Sequence, residues 1–268
     1  MDREASIGVF DSGIGGLTVV REIMRQIPNE SIIYFGDTAR VPYGSKSKET
    51  IITYSRQIVE FLRTKHVKAV VVACNTASAF ALETLKKEID LPIIGVIHPG
   101  AKVAAETTKN NRVGIIGTEG TVNSKIYTTT LSKLSPNVQV FGKACPLFVP
   151  LVEEGWLKDP VTYQVAQRYL EELKGFDIDT LVLGCTHYPL LRDVVGQVMG
   201  EGVSLVNPAY ETAMSLKQVL DYNDLRSQTE GAKHKFFVSD GAEKFKAFAN
   251  TILPCEVEET KDINIEQY

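Results

Sequence analysis

Two stretches of this sequence end an apolar run on a cysteine. Val70-Val71-Val72-Ala73-Cys74-Asn75-Thr76 passes from β-branched residues through a small residue to a thiol and two polar side chains, and Leu181-Val182-Leu183-Gly184-Cys185-Thr186-His187 repeats the phrase. Continuous Val/Ile/Leu runs read as parallel strands buried on both faces, and open α/β sheets collect ligands beyond the carboxyl ends of such strands. Both thiols therefore stand where chemistry is done. They lie 111 positions apart (185 − 74), which rules out a redox CxxC pair, and neither occupies a GxSxG-like elbow. A single nucleophile would leave one phrase unexplained, whereas proton abstraction uses both. Inverting a stereocentre needs a base on one face and an acid on the other, with the roles exchanged in the reverse direction, so the two groups should be of one type. A thiol, with an ordinary pKa of about 8.5, suits that work, provided one is ionised while the other keeps its proton.

Each thiol needs a polar assistant to hold its protonation state. Asp11, at the end of the first strand, and His187, two residues after Cys185, are the natural ones. Both also have structural readings: Asp11 as the N-cap of the helix that follows, His187 as a cap or a core histidine. His66, His98 and His234 keep the structural reading, as do Cys145 and Cys255, because a cysteine without context is a small buried hydrophobe.

The chain has 268 residues, 44% hydrophobic and 23% charged, enough for one large or two modest domains of an ordinary globular protein. A formal charge of −4 with scattered lysines and arginines gives no case for nucleic acid. Four widely spaced cysteines offer neither a zinc pattern nor a disulfide framework, so no metal is expected. No apolar run approaches the roughly 20 residues of a membrane helix. Met1 to Ser6 has no apolar leader core, so a cytoplasmic location is expected.

The elements that must carry these residues form an α/β pattern. Ile7 to Phe10 reads as a strand, Asp11-Ser12-Gly13-Ile14-Gly15-Gly16 as a glycine-rich turn, and Leu17, Val20, Ile23 and Met24 as a helical stripe. The turn lacks the third glycine of a dinucleotide fingerprint and no Walker lysine follows, so it is better read as a place where backbone N–H groups meet a carboxylate. Further strands are expected at 31–35, 70–74 and 93–97, with a helix over 48–65. The segment Pro42-Tyr43-Gly44-Ser45 reads either as a plain turn or as a loop offering backbone donors, a hydroxyl and a phenol. A second round begins with a helix over 101–106 and a strand over 112–117, after which Thr118 to Thr121 stand where Ser12-Gly13 stood. Ser12 precedes Cys74 by 62 positions (74 − 12), and Thr118 precedes Cys185 by 67 (185 − 118). These near-equal offsets point to an internal duplication. Residues 138–141 are expected as a strand, 146–156 as an apolar loop with two carboxylates, 160–173 as a helix, and 203–208 as a closing strand. After a helix over 211–220, a strand over 234–238, a helix over 241–249 and a short strand near the acidic end are expected. The reading is two pseudo-symmetric lobes, each a mainly parallel sheet flanked by helices. The first spans 1–97 plus 207–268 and carries Asp11 and Cys74; the second spans 98–206 and carries Cys185 and His187. The active site is expected in the cleft between them.

Val9-Phe10-Asp11-Ser12-Gly13-Ile14-Gly15-Gly16, Tyr34-Phe35-Gly36-Asp37, Pro42-Tyr43-Gly44, Ala73-Cys74-Asn75-Thr76-Ala77 and Gly184-Cys185-Thr186-His187-Tyr188-Pro189-Leu190 together resemble the glutamate racemases of the cofactor-independent aspartate/glutamate racemase superfamily. The resemblance spans essentially the whole chain. It implies interconversion of L- and D-glutamate with no cofactor, D-glutamate being supplied for peptidoglycan, and a homodimer. It further implies that Cys74 handles the proton of the D-isomer and Cys185 that of the L-isomer, with Asp11, Glu153 and His187 assisting. Asp11, Ser12, Pro42, Tyr43, Gly44, Ser45, Asn75, Thr76, Thr118, Thr121, Thr186 and His187 would bind substrate. Asn207 departs from the pattern, since an acidic residue is common there. Two other readings stay open: a racemase of aspartate or a related acid, and a non-catalytic amino-acid-binding regulator.

Overall fold

Runs of β-branched and aromatic residues bounded by glycine or polar residues give the strands, and 3.6-residue apolar stripes give the helices between them. A computed structural model describes residues 2–268; Met1, the first residue read above for a leader, lies outside them. The strands are β1 (Ile7–Asp11), β2 (Ile32–Gly36), β3 (Ala69–Val72), β4 (Ile93–Gly95), β5 (Arg112–Gly117), β6 (Gln139–Ala144), β7 (Thr180–Gly184), β8 (Ser204–Val206), β9 (His234–Val238) and β10 (Thr260–Asp262). The helices are α1 (Leu17–Gln26), α2 (Lys48–Thr64), α3 (Asn75–Phe80), α4 (Leu82–Glu88), α5 (Ile97–Thr107), α6 (Glu119–Asn123), α7 (Ile126–Leu134), α8 (Phe148–Glu153), α9 (Pro160–Lys174), α10 (Arg192–Met199), α11 (Pro208–Tyr222) and α12 (Ala242–Ile252).

The chain divides into two compact units. One comprises the residues up to Val96 together with Ala209–Tyr268, and the other Ile97–Pro208. The first holds a sheet of order β10-β9-β2-β1-β3-β4 and the second a sheet of order β6-β5-β7-β8. Every pairing in both is parallel. The fold is thus α/β, with two parallel sheets flanked by helices.

The winding β2-β1-β3-β4 of the first sheet is repeated by β6-β5-β7-β8 in the second. In each, the chain leaves the central strand to one side and returns across it to the other. That reversal opens a crevice at the carboxyl ends of the two middle strands. The register places the residues there. Ile7 pairs with Ala69 and Phe10 with Val72, an offset of 62 (69 − 7), and the Ala73 amide donates to the Phe10 carbonyl at 2.8 Å to extend the ladder. Val113 pairs with Thr180 and Gly117 with Gly184, an offset of 67 (180 − 113). Ser12 is therefore level with Cys74, and Thr118 with Cys185.

Several elements differ from the sequence expectation. Residues 148–153 are helix α8 rather than loop, because Phe148 and Val152, one turn apart, are both fully buried. Pro150 lies in the first turn, where a missing N–H costs nothing. The same tolerance lets α5 start at Ile97 with Pro99 in its first turn, so β4 stops at Gly95. Helix α7 was not foreseen; its buried Tyr127 and Leu131 are spaced for a helix, but its polar residues masked them. After Cys74 come two short helices, α3 and α4, divided at Ala81.

At the amino-terminal edge of the first sheet, Lys68 and Glu30 form a fully buried ion pair at 2.6 Å. Glu30 also accepts the Ser227 amide at 2.9 Å, and Lys68 donates to the Arg3 carbonyl. Removing Lys68 leaves the Glu30 charge in a dry site with only the Ser227 amide and, at 3.7 Å, the Arg226 guanidinium to balance it. Lys68→Met is expected to lower stability by about 3 kcal/mol in urea unfolding, with Lys68→Met/Glu30→Leu recovering most of the loss. A double variant no more stable than the single one would contradict this reading of the pair.

Candidate functional site

In the first unit, β1 delivers Asp11 and Ser12 and β3 delivers Cys74 to the same sheet end. Asp11 is fully buried, and its Oδ2 accepts the Gly13 amide at 3.0 Å. It does not cap the following helix, as the sequence suggested: α1 begins after Gly16, with no side-chain cap, and the Asp11 carboxylate instead holds the turn that precedes it. Close approach explains the glycine at 16, where a Cβ would fall 2.5 Å from the Asp11 Cβ. Cys74 is the N-cap of α3, its Sγ accepting the Ala77 amide at 3.4 Å. The Ser12 Oγ lies 3.7 Å away, placed to receive the thiol proton. A sulfur at a helix N-terminus faces backbone N–H groups and the positive end of the helix dipole, which favour the thiolate. Asn75 and Thr76 are buried in the first turn of α3.

The segment after β2 is held by one carboxylate. Asp37 is fully buried and accepts from Arg40 Nε at 2.8 Å, from the Ser239 hydroxyl at 2.9 Å and from the Tyr43 phenol. The Arg40 guanidinium stacks 3.9 Å above the Tyr54 ring. The Tyr43 phenol is thus buried and bonded to Asp37. Burial, reinforced by the Asp37 charge, holds that phenol well above its usual pKa range. What the segment can present is the single 3-10 turn Tyr43–Ser45 following Pro42, whose leading N–H groups have no partner inside the turn. Asp37 and Arg40 were not singled out from sequence; a carboxylate directly after a strand-ending glycine was the available signal.

In the second unit, a carboxylate, an imidazole and a thiol form a chain. His187 Nε2 lies 3.0 Å from Glu153 Oε1, and His187 Nδ1 lies 3.9 Å from Cys185 Sγ. An Nε2–H donated to Glu153 leaves Nδ1 as the acceptor facing the thiol, so the imidazole can take the Cys185 proton and return it. Helix α8, missed from sequence, is what brings Glu153 to His187. Beside Cys185, Thr118 caps α6 by accepting the Thr121 amide at 3.2 Å and contacts the Thr121 hydroxyl at 3.1 Å. Thr186 is buried next to the thiol. Tyr127 and Tyr188 back the cysteine; burial, then the Cys185 charge, holds both phenols well above their ordinary range. Tyr188 donates to the Cys145 carbonyl at 2.8 Å.

The other cysteines keep their structural reading. Cys145 is fully buried, and burial pushes its thiol up to about 12. Burial also raises the Cys255 thiol. Among the described residues no cluster of three or more His, Cys, Asp or Glu is arranged to hold a metal ion, and no helix is long and apolar enough to cross a membrane.

The family described as Asp/Glu/Hydantoin racemase matches residues 7–216. The glutamate racemase of Geobacter metallireducens is 49% identical over 262 residues, covering 97% of each chain. Glutamate racemase isoform RacE1 from Bacillus anthracis superposes with a TM-score of 0.94 at 40% identity, covering 97% of this chain and 98% of that one. A glutamate racemase from Francisella tularensis, solved with D-glutamate, gives 0.93 at 37% identity over 99% and 100% of the two chains.

The cysteine environments predict selective alkylation. Below about pH 12 the Cys145 thiol keeps its proton, and only the thiolate reacts. Iodoacetamide at pH 8–9, followed by peptide mass mapping, should leave Cys145 unmodified in the folded protein and label it on unfolding. Labelling of native Cys145 as fast as a free thiol would contradict this. Glu153→Gln, which keeps the shape but removes the charge on His187, should slow proton transfer at Cys185 by about 10²-fold, at the low end of acid–base contributions.

Proposed function

We propose, since the chain belongs to the Asp/Glu/Hydantoin racemase family, that it interconverts L- and D-glutamate by deprotonation and reprotonation at Cα. The observation that carries this reading is that each parallel sheet ends its switch-point strand in a thiol with its own proton-handling partners. Cys74, as thiolate, takes the Cα proton of the D-isomer while the Cys185 thiol delivers one to the opposite face. From the L-isomer the roles exchange. Asp11 assists at Cys74, and His187 with Glu153 at Cys185. Ser12, the turn Pro42 to Ser45, Asn75, Thr76, Thr118, Thr121 and Thr186 supply hydroxyls, amides and backbone N–H groups for the two carboxylates and the ammonium. The turn contributes through its backbone.

The reaction needs no cofactor in this scheme, because the electron pair left at Cα is reprotonated at once by a thiol already in place. Glutamate rather than aspartate is the substrate supported by the relatives, which match across nearly the whole chain. The product D-glutamate serves peptidoglycan synthesis, in the cytoplasm, and the working form is a homodimer.

D-glutamate incubated with the protein and no added cofactor should lose its optical rotation. D-aspartate should react roughly 10–200-fold more slowly, the discrimination that one methylene supplies. Cys74→Ser and Cys185→Ser should each lower turnover by about 10²–10⁴-fold with far-UV circular dichroism unchanged. An unchanged rotation with wild-type protein, or a serine variant within two-fold of wild type, would overturn the proposal.

A further inference from the structure

Tyr34 lies in the middle of β2, fully buried, and its hydroxyl donates to the Gly13 carbonyl at 2.7 Å. The other side of the same residue is also held, because the Gly13 amide donates to Asp11 at 3.0 Å. Gly13 is thus clamped between a phenol and a carboxylate, and Ser12, directly before it, carries the oxygen that faces the Cys74 sulfur. The clamp is tight on every side. A Cβ at Gly16 would fall 2.7 Å from the Tyr34 hydroxyl, and one at Gly36 would fall 2.7 Å from the Gly13 carbonyl oxygen. From beneath, the Tyr34 ring stacks on Phe245 of α12 with centroids 5.6 Å apart.

We infer that Tyr34 is a positioning residue for the Cys74 half of the reaction: through the Gly13 carbonyl it fixes the turn that aims Asp11 and Ser12 at the Cys74 thiol. The inference rests on the racemase reading for its kinetic consequences, but the geometry itself does not depend on it. Burial, and after it the charges of Asp11 and Cys74, keep the phenol well above its usual range, so the hydroxyl remains a donor throughout the working pH. Removing that hydroxyl leaves the Gly13 carbonyl without its buried donor and frees the turn to shift. The Cys185 half has its own aiming group in the Glu153–His187 pair, so the effect should fall on one proton transfer and not on the other.

Tyr34→Phe keeps the ring and its stacking on Phe245 while deleting the bond. Val59→Ala, a core change in α2, serves as the control for a general loss of stability. With the full-length protein, Tyr34→Phe should lower kcat about 10-fold with KM within two-fold. With α-deuterated substrates, the isotope effect on kcat/KM should rise for D-glutamate and fall for L-glutamate, since only the Cys74 transfer has become slower. Val59→Ala should leave both isotope effects unchanged. A second readout needs no turnover: the pH profile of Cys74 alkylation by iodoacetamide, followed by peptide mass spectrometry, should shift in Tyr34→Phe and not in Val59→Ala. An unmoved alkylation profile overturns the inference whether or not the chain racemises glutamate. A wild-type protein that does not racemise, with a shifted profile in Tyr34→Phe, would overturn the proposed function and leave the positioning role standing. Isotope effects that change equally in both directions would also overturn it, because they would mark a general loosening.

Discussion

The parallel register between the two middle strands of each sheet is the constraint on which the rest depends. With β1 and β3 paired at an offset of 62 and β5 and β7 at 67, a hydroxyl residue at the end of one strand is level with a thiol at the end of its neighbour. A slip of one residue in either pair would turn every side chain to the opposite face and carry the thiol away from the crevice. The pairing is protected by close approach. A Cβ at Gly184 would sit 2.7 Å from the Ile116 carbonyl oxygen, so a larger residue just before Cys185 would push the strands apart. Ser12, Cys74, Thr118 and Cys185 are thereby placed by backbone geometry, before any side chain chooses a rotamer.

Given that frame, the two units handle their thiols differently. In the first, the sulfur sits on a helix N-terminus, and a backbone amide with a nearby serine supplies the polarity. In the second, an imidazole backed by a carboxylate does so. A helix end is a fixed field, whereas an imidazole can take up and release a proton.

Much of this was legible in the sequence, for a physical reason. Strand-end phrases such as Val72-Ala73-Cys74 and Gly184-Cys185-Thr186 combine burial on both faces with an abrupt polar stop, and only a parallel sheet edge reconciles the two. The offsets between Ser12 and Cys74 and between Thr118 and Cys185 are the strand registers themselves. What the sequence concealed were the elements in which proline or polar residues argued against the structure adopted. Pro150 hid helix α8, which carries Glu153, and Pro99 hid the first turn of α5. The fate of the Tyr43 phenol was concealed too, because its partner Asp37 becomes its neighbour only when the segment after β2 folds back. Asp11 looked like a helix cap because an aspartate before a helix usually is one; here five residues, Ser12 to Gly16, intervene, and the carboxylate binds the turn instead.

The proposed racemisation requires two separate thiols to serve the two faces of one carbon, one taking a proton and the other giving one. The most direct measurement is the distribution of label at early times when D-glutamate reacts in D₂O, with the enantiomers separated and each analysed by mass spectrometry. Two thiols predict that the L-glutamate formed carries deuterium at Cα while the D-glutamate recovered in the first few per cent of conversion still carries protium. Deuterium entering recovered D-glutamate as fast as L-glutamate forms would mean that one base serves both faces, and would contradict the account.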